Sequence, residues 1–163
     1  VEAIQAWRAH QPGTTIQIGT TPQHGAAAFD QVIKDALTDY WGGSRLTQND
    51  LLELKTVRNE MENNQKAPAN AVRSVLKSAI ERLKPEGDQM IGDNEWTLYN
   101  ILDLRFVRGM RIRDIANRLS MSESDYYRKQ RVAIEQIADT IAQMEGEFEH
   151  LQSERIPHDG EAD

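Results

Sequence analysis

Hydrophobic residues recur at spacings of three and four along most of this chain, the pattern of amphipathic helices that pack by one face. The first such stretch starts at Ala26 and stops at Gly42-Gly43, because glycine readily adopts the left-handed conformation that closes a helix. The same pattern predicts a second helix over residues 49–63 and a third over residues 69–83. Alternation typical of strands is almost absent, so the predicted fold class is all-α, a helical bundle.

The breaks between these helices predict how the chain is organised. Residues 1–25 are rich in Pro, Gly and Thr and are expected to be an N-terminal segment and linker. Residues 26–87 form the first group of helices, which we interpret as a regulatory or partner-binding region. Residues 94–152 are expected to hold a C-terminal tri-helical helix-turn-helix with a long last helix, and the acidic residues 153–163 a disordered tail.

The segment after residue 93 has the spacing of a helix-turn-helix. A helix is predicted over residues 94–108, followed by a short amphipathic helix over residues 111–119 and a tight turn. Ala116 is small enough to let two helices cross closely. Ser122 is suited to cap the next helix, because its side-chain oxygen can accept from the free N–H groups of the first turn. Tyr126 falls at an inward position of that helix, and we expect it in the core.

This spacing resembles region 4 of sigma-70-type transcription factors and the related output domains of response regulators. It is also similar to the helix-turn-helix segment near the front of many multidomain bacterial signalling proteins, including regulators that contain an ATPase. The residues that carry this second resemblance are Arg82-Leu83-Lys84-Pro85, residues 95–106, and residues 122–130 with Tyr126-Tyr127-Arg128 at their centre. The resemblance covers residues 29–141, is firmest over residues 95–137, and implies a role in transcription control or signalling.

The charge is distributed unevenly along the chain. The net charge is −7 and the pI about 5.1, which argues against a nonspecific polyanion binder with a basic surface throughout. Residues 95–135 hold eight Arg and Lys against six acids and carry +2, which leaves −9 for the rest of the chain. This local excess of positive charge is what a footprint on DNA requires.

If DNA is the target, the helix after Ser122 is expected to enter the major groove by its N-terminal half. Arg128 and Arg131 can each make a bidentate contact to guanine, worth about 1–3 kcal/mol of discrimination. The residues expected to face outward on this helix are Ser124, Asp125, Tyr127, Arg128 and Arg131. The residues expected to hold phosphates are Arg111, Arg113, Arg118 and Lys129.

Two acids at the start of the same helix, Glu123 and Asp125, count against strong DNA binding because they repel phosphates. Such an acid can instead accept a hydrogen bond from a cytosine amino group. Acids also interact favourably with the positive end of a helix, which gives both residues a purely structural explanation.

The last helix carries a second pattern, an a/d heptad seam. Its members are Ile134, Ile137, Ile141, Met144, Phe148 and Leu151. A helix this long cannot bury its far end against a small helix-turn-helix domain, so the seam needs a partner. We expect a homodimeric coiled coil, although Gly146 weakens a helix interior by about 1 kcal/mol. The alternative is that the first three helices fold back onto the seam.

Signals of enzyme chemistry are weak in this sequence. The chain has no cysteine, and its four histidines lack the paired spacing of metal ligands. The sequence Gly42-Gly43-Ser44 lacks the lysine and the preceding strand of a phosphate-binding loop. The three tryptophans are expected to be core or helix-contact residues. We therefore expect no enzyme activity, no cofactor and no metal site.

These observations predict a sequence-specific DNA-binding transcription regulator whose partners are double-stranded DNA and a second copy of the chain. The alternative is a protein-interaction adaptor in which the sigma-like module binds a subunit of RNA polymerase or another regulatory protein. No apolar run reaches the roughly 18 residues that span a bilayer, and no signal peptide opens the chain. A soluble cytoplasmic protein is expected.

Overall fold

The computed structural model of the protein describes residues 22–48, 50–88 and 94–155, and these residues form helices and no β-strand. The predicted all-α fold is therefore confirmed. The helices are α1 (Pro22–Thr38), α2 (Ser44–Thr47), a 3₁₀ turn (Asp50–Glu53), α3 (Lys55–Glu62), α4 (Pro68–Arg82), α5 (Asn94–Leu102) with a π-helical continuation (Asp103–Val107), α6 (Ile112–Arg118) and α7 (Glu123–Arg155).

The two ends of the described chain differ slightly from the prediction. Helix α1 begins at Pro22 rather than Ala26, and α7 continues through Arg155, so residues 153–155 are helical and not a disordered tail. The expected linker over residues 1–21 and the tail over residues 156–163 lie outside the described residues.

The predicted helix over residues 49–63 is wrong as a single element. Leu54 has an extended backbone (φ −66°, ψ 138°) and separates the 3₁₀ turn from α3. This break frees the backbone N–H groups of Lys55 and Thr56, which then donate to the carboxylate of Glu145 on α7 at 2.6 and 3.1 Å. A contact between distant parts of the chain thus sets where the helix starts, and no local pattern encodes it.

The heptad seam of α7 is covered by the chain's own helices. Ile134, Ile137 and Ile141 are buried in one cluster with residues of α1, α3 and α4, such as Ile33 and Leu76. The expected dimer seam is therefore wrong for these three positions, because their side chains have no surface left for a second copy. The alternative in which the first helices fold back is the arrangement observed.

The outer end of the seam is progressively less covered. Met144 is partly buried against the same cluster, Phe148 is half-buried, and Leu151 is 54% exposed. The covering helices thus leave only the last of the six seam positions largely open to solvent.

Contacts along α7 show how the bundle is built around it. Helix α5 contacts the start of α7, where Lys129 lies beside Asn94. Helix α1 packs next along α7 and places Asp30 near Glu135. Helices α3 and α4 pack farther along, around Glu145. Helix α6 also packs on the first turns of α7. The long helix is therefore shared by the helix-turn-helix at its start and the N-terminal helices along the rest.

Trp41 connects these two parts of the molecule. Although its side chain is 65% exposed, its indole N–H donates to the carbonyl oxygen of Val107 in the π-helical segment at 2.7 Å. The guanidinium of Arg73 lies over its ring, 5.3 Å from the ring centre. Trp41 is therefore a helix-contact residue, as expected, whereas Trp96 is buried in the core.

Within the described ranges, none of the helices combines the length and the apolar character needed to cross a membrane.

Candidate nucleic-acid interface

The helix-turn-helix has its own small core. Tyr126, Ile115 and Ala116 are buried together with Ile101 and Leu104. This confirms the inward position of Tyr126 and shows that Ala116 is also buried. The hydroxyl of Tyr126 donates to the side-chain oxygen of Gln130 at 2.6 Å, and burial raises the pKa of this phenol. The start of α7 is thus fixed against α6 from within.

The turn between α6 and α7 is closed by a pair of backbone hydrogen bonds. Ser120 has a φ of 55° and donates to the carbonyl of Asn117 at 3.2 Å, while Met121 donates to Ala116 at 2.9 Å. This is the Schellman arrangement, which usually places glycine at the left-handed position. Serine holds that position here at a steric cost that glycine would avoid.

We expect Ser120→Gly to raise the free energy of unfolding by about 0.5–1 kcal/mol. The left-handed conformation costs a non-glycine residue about 1–2 kcal/mol, and the greater chain entropy of glycine offsets part of the gain. Urea denaturation measures the difference. Ser78→Gly, in the exposed interior of α4, is the matched control and should lower stability, since no left-handed strain is relieved there. A fall in stability for Ser120→Gly would contradict the assignment.

Ser122 caps α7 as predicted. Its hydroxyl oxygen accepts from the backbone N–H of Asp125 at 3.1 Å. In return, the pKa of the Asp125 carboxyl is lowered, first by a hydrogen bond from Ser122 and then by one from Arg128. Glu123 and Asp125 also lie in the first turn, where the helix dipole favours negative charge. Asp125 therefore has structural partners at the start of the helix, and Glu123 lies where the helix dipole favours an acid.

The outer face of this helix start is accessible. Ser124, Tyr127, Arg128 and Arg131 are exposed, with 54% of Tyr127 open to solvent, whereas Asp125 is half-buried. The prediction that these residues face outward is therefore confirmed for all of them except Asp125.

The outward cations differ in whether they are paired. Arg128 forms an ion pair with Asp125, and Arg111 pairs with Asp114 at 3.1 Å. The side chain of Lys129 is half-buried and reaches the side-chain oxygen of Asn94 at 3.3 Å, so it lies toward α5. Among the cations predicted to contact DNA, Arg113, Arg118 and Arg131 are exposed and form no ion pair with another described residue.

The basic face of α7 has a defined length. It ends after Arg131, because the next exposed charged residues on the helix, Glu135 and Asp139, are acids. Burial raises the pKa of Asp30 on α1, and the nearby charges of Glu135 and Asp139 raise it further. From Glu123 to Arg131 the helix rises about 12 Å at 1.5 Å per residue. This is close to the roughly 12 Å width of the major groove of B-form DNA.

Two of these pairings were not anticipated from the sequence, although the sequence holds a signal for them. Asp114 follows Arg111 by three residues and Arg128 follows Asp125 by three, the spacing at which helical side chains meet. The contact of Lys129 with Asn94 has no such signal, because the two residues are brought together only by the packing of α5 on α7.

The described part of the chain contains no group of three or more His, Cys, Asp or Glu side chains placed to hold a metal ion. Comparisons with models of known protein families, with curated proteins and with solved structures find no match to this chain.

Proposed function

We propose that this protein binds double-stranded DNA sequence-specifically and regulates transcription, with the start of α7 in the major groove. One observation carries the proposal: a capped, rigid helix start presents an exposed face about as long as the groove is wide. The arginines of this face supply both kinds of contact that DNA binding requires, because an arginine fork fits guanine and its charge attracts phosphates.

The shape of the bundle supports this mode of binding. The large core that covers α7 begins at Ala133, so the N-terminal helices leave the outer face before that residue free. Arg113 and Arg118 are exposed on α6, which packs on α7, and are suited to hold the DNA backbone. A groove can therefore receive the helix start without displacing the rest of the protein.

The burial of the heptad seam changes the expected binding site. A dimer through Ile134, Ile137 and Ile141 would have presented two helices to a two-fold-related sequence. With these side chains inside the chain's own core, one molecule presents one recognition helix. The proposed site is therefore a single short sequence.

A protein-interaction adaptor is the second candidate, with a polymerase subunit or a signalling protein as the partner. Tyr127 and Val132 favour it, because they are 54% and 41% exposed on the same helix start. Exposed tyrosine and arginine side chains are common at the centres of protein interfaces. The net negative charge of the whole chain also suits a protein partner better than DNA.

Selection from a random-sequence duplex library, followed by sequencing, tests the first candidate. We expect enrichment of one short sequence, and binding that weakens steeply as salt rises. Arg131→Ala is expected to weaken binding and to reduce the slope of log affinity against log salt by about 1. Arg58→Ala removes an exposed arginine, paired with Glu53, from α3 and is the control for the loss of one positive charge.

The outcomes separate the two candidates. Enrichment of a two-fold-related sequence would show that the protein binds DNA as a dimer formed through a surface other than the heptad seam. Absence of any enriched sequence at low salt would overturn the DNA proposal. The adaptor would then be tested by capture of a stoichiometric protein partner that is lost in Tyr127→Ala.

A further inference from the structure

Resting on the proposed function, we propose that Asp125 is a positioning residue that holds Arg128 in place to read guanine, so that the Asp125–Arg128 pair sets base specificity. The acid that counts against DNA binding in the sequence thereby becomes part of the recognition device. Its role is to orient a side chain, and it makes no contact with the DNA backbone.

The backbone of Asp125 is itself fixed at the start of α7. Its backbone N–H is bonded to the hydroxyl of Ser122 at 3.1 Å, and it lies in the first turn of a 33-residue helix. Its side chain is only 39% exposed, whereas that of Arg128 is 79% exposed. The carboxylate on this fixed backbone thus pairs with a guanidinium that extends into solvent.

The guanidinium of Arg128 keeps free N–H donors when it is paired with Asp125. Only the Nη2 nitrogen of Arg128 contacts the carboxylate of Asp125. A guanidinium has five N–H donors in one plane, so enough remain to bond the O6 and N7 acceptors of guanine together. Because Asp125 already holds the guanidinium before DNA binds, Arg128 loses less rotamer freedom on binding than an unrestrained arginine would.

Arg128 and Arg131 differ in how their charge is balanced. The charge of Arg128 is balanced by Asp125, so its attraction to phosphates is reduced. Arg131 is exposed one turn farther along and has no ionic partner among the described residues. Arg128 therefore contributes mainly base preference, and Arg131 contributes mainly affinity and its dependence on salt.

The experiment compares base-preference profiles from duplex selection for the wild type and for single variants of the whole chain. The position at which Arg128→Ala loses a preference for guanine identifies the base pair that Arg128 reads, with an expected loss of roughly 5- to 150-fold. Asp125→Ala is expected to reduce the preference at that same position by roughly 2- to 12-fold. Asp125→Asn, which keeps one acceptor oxygen, should retain part of it.

Glu123→Ala is the matched control, because it removes an exposed acid from the same turn. It should raise affinity slightly for all sequences, through weaker repulsion of phosphates, and leave the profile unchanged. Thermal unfolding of each variant shows whether the folded state is kept. A uniform loss of affinity with an unchanged profile in Asp125→Ala would assign a structural role only.

The results distinguish this inference from the function on which it rests. If the wild type selects a sequence and Asp125→Ala keeps the full preference, the positioning role is overturned and DNA binding stands. If Asp125→Ala and Glu123→Ala change the profile alike, the effect is one of general charge, and the inference is again overturned. If the wild type binds no duplex selectively, both the function and the inference fall.

Discussion

Replacement of Ile137 by alanine is expected to lower the free energy of unfolding by about 2–5 kcal/mol. The side chain is fully buried, and its cluster includes residues from α1, α3, α4, α5 and α7. Its removal deletes apolar contacts and leaves a cavity that neighbours on several helices cannot easily fill. Urea denaturation followed by circular dichroism gives the difference.

Leu151→Ala is the matched control for Ile137→Ala, because both residues belong to the same heptad seam. Leu151 is 54% exposed, so its replacement is expected to change stability by no more than about 0.5 kcal/mol. The denaturation midpoint of the wild type is also expected to be independent of protein concentration, because the seam is buried within one chain. If the midpoint rises with protein concentration, and this dependence is lost in Ile137→Ala, the seam forms a dimer interface after all.

Replacement of Glu145 by alanine is expected to lower the free energy of unfolding by about 3 kcal/mol. The carboxylate is 2% exposed and accepts from the backbone N–H of Lys55 and from both the N–H and the hydroxyl of Thr56. Helix α3 has no side-chain cap from its own N-cap residue, Leu54. Loss of the carboxylate leaves these donors unsatisfied, at about 1–3 kcal/mol for each buried group.

Two further variants test the Glu145 cap. Glu145→Gln keeps one acceptor oxygen without the charge and should fall between the wild type and alanine, because hydrogen bonds to charged groups are the stronger. Glu149→Ala removes the ion pair with the ammonium of Lys55 at 2.8 Å, and should cost no more than about 1 kcal/mol. Equal losses for Glu145→Ala and Glu149→Ala would show that charge near Lys55, and not capping, is what matters.

Much of the fold was predictable because the signals are local. The third helix was expected over residues 69–83 and runs Pro68–Arg82. Periodicity and terminating residues act within a few positions of one another, so they can be recognised in the sequence alone. The cap at Ser122 and the inward position of Tyr126 were predictable for the same reason, and both are confirmed.

The candidate site was predictable only in part. The sequence identified the exposed positions of the α7 start, because helical geometry fixes which side chains share a face. The i,i+3 spacing of Arg111 with Asp114 and of Asp125 with Arg128 is a signal for their pairing that was not used, whereas the contact of Lys129 with Asn94 depends on packing. DNA binding itself stays a prediction, because the same face is compatible with a protein partner.

The helical class, the helix-turn-helix spacing and the apolar stripe along the last helix could all be inferred from the amino-acid sequence. What covers that stripe, and where α3 begins, became known only from the packed helices. A heptad pattern records which side chains avoid water, and α1 or a second copy of the chain removes them from water equally well. Likewise, the start of α3 is set by Glu145, a residue 90 positions from Lys55 in the chain, and only folding brings the two together.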